Sequence, residues 1–356
     1  MKKSIRVGFL GSGSIARSHA YALDALKFYY PDAPNIQKAV VASPTPEHRE
    51  SFAELYGFEE ALSPDALWER DDLDALYILG SNTTHTPQLV RASQLPKLQR
   101  IYVEKPLGTS NQDILDLEAL NSTNHGKFIM VGFQFLQKSA MRKALAHWRS
   151  GVFGEPIHFR AEYLHSSYLS EEYRRLRQHR FLPTPIDGAA ADLGSHPLSL
   201  LTAFLGNSLA IKDAGFSGSF PGVPDHTDLC TTALIKEERS GAYGTFLASR
   251  VSAGTGDLLI LEFYCTKGTL RYTTRQPDSY ETFLPEEGWR LHEVNSDYSP
   301  ASKFPSDYLP SGWLRALVHN HYLFLSNNTG SDFIPDLSHG IQVQRLLQQI
   351  ADHIRS

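Results

Sequence analysis

Thiols, long apolar runs and surplus positive charge are all scarce in this chain of 356 residues, which has two cysteines, three methionines and 34 basic residues against 39 acidic ones. Each scarcity excludes something. Cys230 and Cys265 stand far apart without a C-x-x-C spacing, so no thiolate metal site is expected, and a disulfide between them is the lesser expectation. No window approaches the roughly 20 apolar residues that cross a bilayer, so no membrane span is expected. The formal net charge of -5 argues against a sequence-independent grip on nucleic acid. Met-Lys-Lys at the start precedes an apolar stretch, but Gly8 and Gly11 interrupt it and Arg17 follows, which speaks against a signal peptide and makes the cytoplasm the default location. With 41% hydrophobic and 21% charged residues, the chain reads as globular and long enough for two domains.

What is present begins at once. Ile5 to Leu10 is a strand-like run that leads into Gly11-Ser12-Gly13-Ser14-Ile15-Ala16, after which Ala20, Leu23 and Leu26 fall at helical spacing. A strand, a tight turn and a helix in that order suit a dinucleotide. The turn needs one small residue where the backbone bends, a second where it approaches a pyrophosphate, and a third where helix packs on strand. Gly11, Gly13 and Ala16 fill these roles, and the helix start would offer its N–H groups to the phosphates.

Ala39 to Ala42 reads as the second strand and ends at Ser43, where an Asp or Glu would bind the 2′-hydroxyl of NAD. With Ser43, Thr45 and Arg49 there instead, NADP is the expected cofactor, with NAD left open; in the plainer reading Ser43 tolerates either cofactor and Arg49 lies on a solvated helix face. A helix over 47–56 stopping at Gly57, a Ser-Pro-capped helix over 63–68 and a strand over 75–79 follow. That strand delivers Ser81, Asn82 and His85 to the ligand edge of a parallel sheet. His85 there either touches ribose or nicotinamide, or caps the helix that Pro87 begins. The strand over 100–103 delivers Glu104-Lys105-Pro106 to the same edge, a helix over 111–121 and a strand over 127–133 complete the alternation, and the fold class is α/β with a doubly wound parallel sheet.

The glycine turn, the segment ending in His85 and Glu104-Lys105-Pro106 together resemble the glucose-fructose oxidoreductase, inositol dehydrogenase and rhizopine catabolism family, Gfo/Idh/MocA. The resemblance implies a Rossmann domain, placed here at 1–134, and a C-terminal α/β domain with a largely antiparallel open sheet at 135–356. It also directs attention to departures: an arginine common in the family is Leu136 here, and the Trp of a family Trp-Arg step is His179, although Arg180 is retained as a candidate substrate contact. The arginine-rich segment 174–180 reads equally as substrate contact, solvated helix or subunit contact.

Gly188-Ala-Ala-Ala-Asp192-Leu-Gly-Ser-His196 matches the family's glycine-rich turn followed by Asp-x-x-x-His, with Ile186 and Asp187 in place of two glycines. On a helix, Asp192 and His196 share a face, and histidine suits proton transfer near neutrality. Lys105, Asp192 and His196 are the candidate catalytic residues and, with Arg180, the candidate substrate contacts. The reacting centre is expected where the two domains meet.

Strands over 228–236, 241–249 and 257–265 with short connections imply antiparallel neighbours, and a sheet open on one face is expected to pair with a second copy of the chain. The stretch 285–310, with Pro285, Pro300, Pro305 and Pro310, reads as a loop covering the active cleft, and 313–325 and 337–354 as amphipathic helices. The expected activity is hydride transfer between a nicotinamide and a hydroxyl-bearing carbon of a sugar, polyol or related ring. The alternatives are a cofactor-binding sensor without turnover, or a glycoside hydrolase working through transient oxidation by bound NAD.

Overall fold

The structure is a computed structural model and describes residues 4–123, 126–181, 184–295, 297–302, 304, 312–326 and 330–355, without the side chains of His179 and Arg180. The chain forms two compact units. The first comprises Met1–Gly108, Gln112–Gln137 and Ser296–Ile341; the second comprises Thr109–Asn111, Lys138–Asn295 and Gln342–Ser356. By its contacts the first unit runs on to Gln137 and takes in 296–341 as well, whereas the division expected from the sequence is a single boundary at 134 with everything beyond it in the second domain.

The first unit is a six-stranded, wholly parallel sheet. Its strands are β1 (Ser4–Leu10), β2 (Asn35–Ala42), β3 (Glu60–Leu62), β4 (Ala75–Ile78), β5 (Arg100–Val103) and β6 (Phe128–Val131), in the spatial order β3-β2-β1-β4-β5-β6. Order reversal beside β1 opens a crevice at the carboxyl ends of the strands, the usual place for a ligand in such sheets. The crossover helices are α1 (Ser14–Tyr29), α2 (Pro46–Tyr56), α3 (Pro64–Leu67), α4 (His85–Ser93) and α5 (Asn111–Ser122). Helix α2 ends where Gly57 takes a left-handed conformation, φ +70, and α3 begins where Ser63 accepts a hydrogen bond from the Ala66 N–H. Both the stop and the start were legible as sequence punctuation. The three-residue edge strand β3 was not.

The returning segment supplies α9 (Trp313–Leu325), whose residues from Arg315 to Leu325 are all buried. The expected amphipathic helix is therefore a core helix, because α1 covers one flank of it and the sheet another. Its polar side chains survive burial through partners. Tyr30 lies stacked on Tyr322 at 3.9 Å and its hydroxyl contacts His319 Nδ1 at 2.6 Å, and Asn320 donates to the Tyr102 hydroxyl at 2.9 Å.

The second unit centres on an eight-stranded sheet, in the order β14-β13-β12-β11-β7-β10-β9-β8. The strands are β7 (Pro156–His165), β8 (Leu209–Ser217), β9 (Cys230–Glu237), β10 (Tyr243–Ser249), β11 (Asp257–Cys265), β12 (Thr269–Thr273), β13 (Ser279–Leu284) and β14 (Gly288–Glu293). Only the β7–β10 pair is parallel; the rest are antiparallel. Strict alternation buries Phe159, Ala161, Phe246, Ala248, Leu261, Phe263, Leu270 and Tyr272 on one face, against α6 (Ser139–Arg149) and α8 (Ser195–Leu205). Pro285 belongs to the β13–β14 hairpin, so the 285–310 loop expectation is corrected: Trp289 and Leu291 alternate on β14, the edge strand. Pro305 and Pro310 lie outside the described residues. Cys230 and Cys265 are free thiols on β9 and β11, and burial pushes the Cys265 thiol up to about 12. Among the described residues no helix is long and apolar enough to cross a membrane.

At the start of α10 (Leu337–Arg355), His339 is buried between the edges of Phe133 and Phe333, and that burial pushes its pKa from 6.5 down to about 3. The folded protein thus holds a neutral imidazole that the unfolded chain protonates below about pH 6.5. The stability this group contributes is intact above that pH and is lost as pH falls toward 3, by ~1.4 kcal/mol per pH unit within the window. Urea unfolding between pH 7 and pH 5 should show this loss, and His339→Gln should lessen the slope by about that amount.

Candidate active site

The edge of the first sheet collects most of the residues singled out for cofactor binding. Gly11 has φ +120, and its N–H donates to the Ala42 carbonyl at 2.8 Å. A methyl group there would lie 2.7 Å from the carbonyl carbon and oxygen of Leu79, so the turn admits only glycine. Gly13 is the opposite case: it is exposed, nothing lies within 4 Å of where its Cβ would be, and no side chain caps α1 from it. The helix therefore presents its first N–H groups at an open face, as anion binding requires. Ala16 is fully buried where α1 meets the sheet. Ser14 and Ile15 form the first turn of α1, with Ser14 exposed and Ile15 half-buried. These features fit a dinucleotide.

At the end of β2, the Ser12 hydroxyl donates to the Ser43 hydroxyl at 2.9 Å, linking the glycine turn to the residue that follows β2. Arg49 is not out on a solvated helix face. Its guanidinium turns back to donate to the Ser43 carbonyl at 3.0 Å and reaches the Pro44 carbonyl at 3.4 Å. Thr45 is exposed at the head of α2. Ser81 and Asn82 are exposed in the turn after β4.

His85 departs from both expectations. Its ring is buried, Nδ1 lies 2.7 Å from the Pro106 carbonyl and Nε2 3.2 Å from the Gly80 carbonyl, and burial pushes its pKa down. A neutral ring carries one N–H, and the shorter contact assigns it to Nδ1, which donates to the Pro106 carbonyl and ties the start of α4 to the Glu104-Lys105-Pro106 segment. Lys105 itself is half-buried, follows β5 directly, and its N–H donates to Glu104 Oε2 at 3.3 Å.

In the second unit, Asp192 and His196 are held by an unusual helix start. Residues Ala190–Gly194 form one π-helical turn before α8, so Asp192 lies in a wider coil than the i, i+4 reading assumed. Two glycines explain the turn. A Cβ on Gly188, which has φ +71, would meet the Asp228 side chain at 2.3 Å, and one on Gly194 would meet the Phe246 ring at 2.4 Å. Asp228 anchors the turn by accepting from the Ala190 N–H through its carboxylate at 2.9 Å and from the Ala189 N–H through its carbonyl at 3.0 Å. Where the family has its other glycines, Ile186 is buried and Asp187 accepts from the Thr184 N–H at 2.8 Å.

The Asp192 carboxylate accepts a hydrogen bond from Arg250 Nη2 at 3.0 Å, and the Arg250 guanidinium lies 4.6 Å from the Tyr168 ring centroid. Arg250 was missed because it stands alone after β10 with no motif around it. The only sequence signal is a charged residue directly following a run that reads as buried strand. His196 is buried, with the Tyr163 ring edge-on at 5.7 Å, and the Tyr163 hydroxyl donates to Asp257 at 2.5 Å. The structure thus gathers Asp192 with His196 in one unit and Lys105 with the cofactor candidates in the other.

The remaining candidates fare unevenly. Leu136, in the place of the family arginine, is buried and apolar in the first unit. Arg174, on the short helix α7 (Glu171–Leu176), is consumed locally, donating to the Tyr168 carbonyl at 2.6 Å and the Leu169 carbonyl at 3.1 Å, while Arg177 stacks over Tyr173 at 5.5 Å. The side chain of Arg180 lies outside the described residues. No cluster of histidine, cysteine and carboxylate side chains suited to a metal occurs among the described residues.

Residues 5–133 match the family described as "Oxidoreductase family, NAD-binding Rossmann fold", and residues 141–271 match the "GFO/IDH/MocA C-terminal domain". The chain is 21% identical to levoglucosan dehydrogenase of Pseudarthrobacter phenanthrenivorans over 96% of this chain and 94% of that protein. It is 29% identical to a dTDP-3,4-didehydro-2,6-dideoxy-alpha-D-glucose 3-reductase of Actinomadura kijaniata over 59% of each. Among solved structures, levoglucosan dehydrogenase in complex with NADH superimposes with a TM-score of 0.86 at 20% identity, covering 99% of this chain and 97% of that one. An inositol dehydrogenase homolog from Azotobacter vinelandii, complexed with NADH and myo-inositol, gives 0.80 at 17% identity over 99% and 96%. At these identities the superpositions speak to the fold alone.

Proposed function

This chain belongs to the Gfo/Idh/MocA oxidoreductase family, and from that premise we propose that it transfers a hydride between a nicotinamide dinucleotide and a hydroxyl-bearing carbon of a sugar, polyol or related cyclic substrate. The observation that carries the reading is the delivery of Lys105 by β5 to the same sheet edge as the open, uncapped glycine turn. Support comes also from the relatives, which are named as dehydrogenases and reductases of sugars and polyols.

A bound nicotinamide supplies the acceptor or donor for the hydride, and the protein must manage one proton and one developing charge. In the oxidative direction the carbinol carbon gives up its hydrogen with the bonding electron pair, and the hydroxyl proton passes to His196. The C–O bond becomes a carbonyl. The Lys105 ammonium donates a hydrogen bond to that oxygen while charge develops on it. Asp192 binds a neighbouring hydroxyl or orients His196, and Arg250, which holds the Asp192 carboxylate at 3.0 Å, keeps that group in place. The reductive direction reverses each step.

For the cofactor's finer identity we propose NADP. No carboxylate stands at the end of β2 to repel a 2′-phosphate, Ser43 and Thr45 offer hydroxyls, and Arg49 lies against the Ser43 carbonyl. For assembly we propose a homo-oligomer formed through the open face of the second sheet. On that face Leu234 and Tyr243 are exposed on β9 and β10 and Trp289 and Leu291 on the far edge strand β14, with the Arg160–Glu162 and Arg271–Glu281 ion pairs on the strands between.

His196→Ala should slow sugar oxidation about 100-fold or more; a variant turning over within threefold of the parent across pH 5 to 9 removes the proton-transfer role. Titration of nicotinamide fluorescence should give NADPH the tighter binding by about tenfold, reversed in Ser43→Asp through repulsion of the 2′-phosphate. Sedimentation should show an oligomer that Leu234→Asp dissociates, and a compact monomer at working concentration rejects that surface.

A further inference from the structure

Behind Lys105 the first unit holds a buried line of polar groups that the chemistry above does not use. His19, on the inward face of α1, has Nε2 3.0 Å from Glu104 Oε1 and Nδ1 3.0 Å from Nε2 of His321 on α9. The two imidazoles are nearly parallel, with centroids 4.9 Å apart, and both are fully buried. Rings enclose them: Phe9, Tyr77 and Tyr102 around His19, with Tyr77 and Tyr102 also against His321. Gly132 makes the room for this arrangement, since a Cβ there would lie 2.7 Å from Glu104 Oε1.

The contacts fix the protons. His321 is held neutral, because burial drives its pKa well below 6.5, so it carries a single N–H. Its Nδ1 is buried with no hydrogen-bond partner among the described residues, and a proton placed there would be a stranded donor. The proton is therefore on Nε2 and is donated to His19 Nδ1. That leaves His19 its proton on Nε2, which is donated to the Glu104 carboxylate. Two donors in series thus point one way, and the second oxygen of the same carboxylate accepts the Lys105 N–H at 3.3 Å.

We propose that His19, locked in one tautomer by His321, is a positioning residue for Lys105, acting through Glu104. It ties the helix that follows the glycine turn to the backbone that carries the lysine, so one buried contact sets the cofactor turn and the ammonium group in a common frame. A carboxylate held on one oxygen by an imidazole has a single orientation in which its other oxygen meets the Lys105 N–H; without that donor it turns, and the lysine backbone loses its brace. The inference rests on the catalytic reading of Lys105, but the proton arrangement does not.

Two measurements separate the parts. Nitrogen-15 correlation spectra of the histidine rings need no substrate: both His19 and His321 should report neutral rings protonated at Nε2, and an Nδ1-protonated or doubly protonated His19 overturns the relay. Kinetics of the sugar oxidation in the full chain then test positioning. His19→Leu should lower kcat at least tenfold with KM for the sugar within threefold, and His19→Gln, whose amide offers a donor near the lost Nε2, should recover most of the rate. A kcat within twofold of the parent in folded His19→Leu, or a glutamine variant no faster than the leucine one at equal Tm, overturns it. Should His19→Leu fail to fold, Glu104→Gln keeps the shape of the side chain and loses its second acceptor, and an unchanged kcat there has the same force. If the parent protein oxidises no sugar or polyol, it is the functional reading that falls, and the ring spectra still decide the relay.

Discussion

One close approach of backbone to backbone governs the first unit. Between β1 and α1 the chain turns within van der Waals distance of the Leu79 carbonyl, at a position with φ +120 that only Gly11 can occupy. That turn puts the start of α1 at the reversal in strand order, leaves its N–H groups without a side-chain cap, and aims its inward face at the ends of β4 and β5. Everything placed for chemistry on that edge inherits its position from there. Ser12 reaches Ser43 because the turn brings them within 2.9 Å, and His19 reaches Glu104 because it sits one and a half turns further along the same helix.

The first unit spends an uncommon number of buried polar groups on holding its reactive edge. His85 ties two loops through its one N–H, donated to the Pro106 carbonyl, and His19 and His321 brace a carboxylate. Buried polar groups cost free energy unless satisfied, and once satisfied they admit few alternative arrangements, so they specify geometry more than they stabilise. The second unit uses the same device in another form. Asp228 holds the backbone of the π-helical turn and Arg250 holds the carboxylate it presents, so Asp192 is fixed from both sides. A wider helical turn at a residue assigned to substrate is consistent with the frequent use of such turns at functional positions.

The open face of the eight-stranded sheet obeys a different rule. Its rows mix exposed apolar side chains with opposed charges, Arg160 with Glu162 and Glu262, and Arg271 with Glu281, while the Arg271 guanidinium lies 3.9 Å over the Trp289 ring. Exposed pairs of this kind contribute little to stability singly. In the proposed homo-oligomer these ordered rows would set the register of one copy on the other.

The sequence by itself determined the elements whose information is local. Gly11, Gly57 and Ser63 mark turns and caps through backbone geometry that a few adjacent residues settle, and the parallel sheet follows from the alternation of strand and helix. The family was legible in its motifs, and the roles proposed for Lys105, Asp192 and His196 rest on the same motifs. Tertiary structure alone decided the rest, because it depends on partners that no local pattern reveals, some of them hundreds of positions away. No local pattern says that 296–341 belongs with the first unit, that α9 is buried from Arg315 to Leu325, or that His321 closes a line begun by His19. Nor does periodicity reveal that Arg250 meets Asp192 or that a strand runs within 285–310, since an isolated charge and a proline-flanked Trp-x-Leu read alike in a loop and in a sheet until a neighbouring strand supplies their partners. Burial is a property of the assembled fold, and these residues acquire their roles only through it.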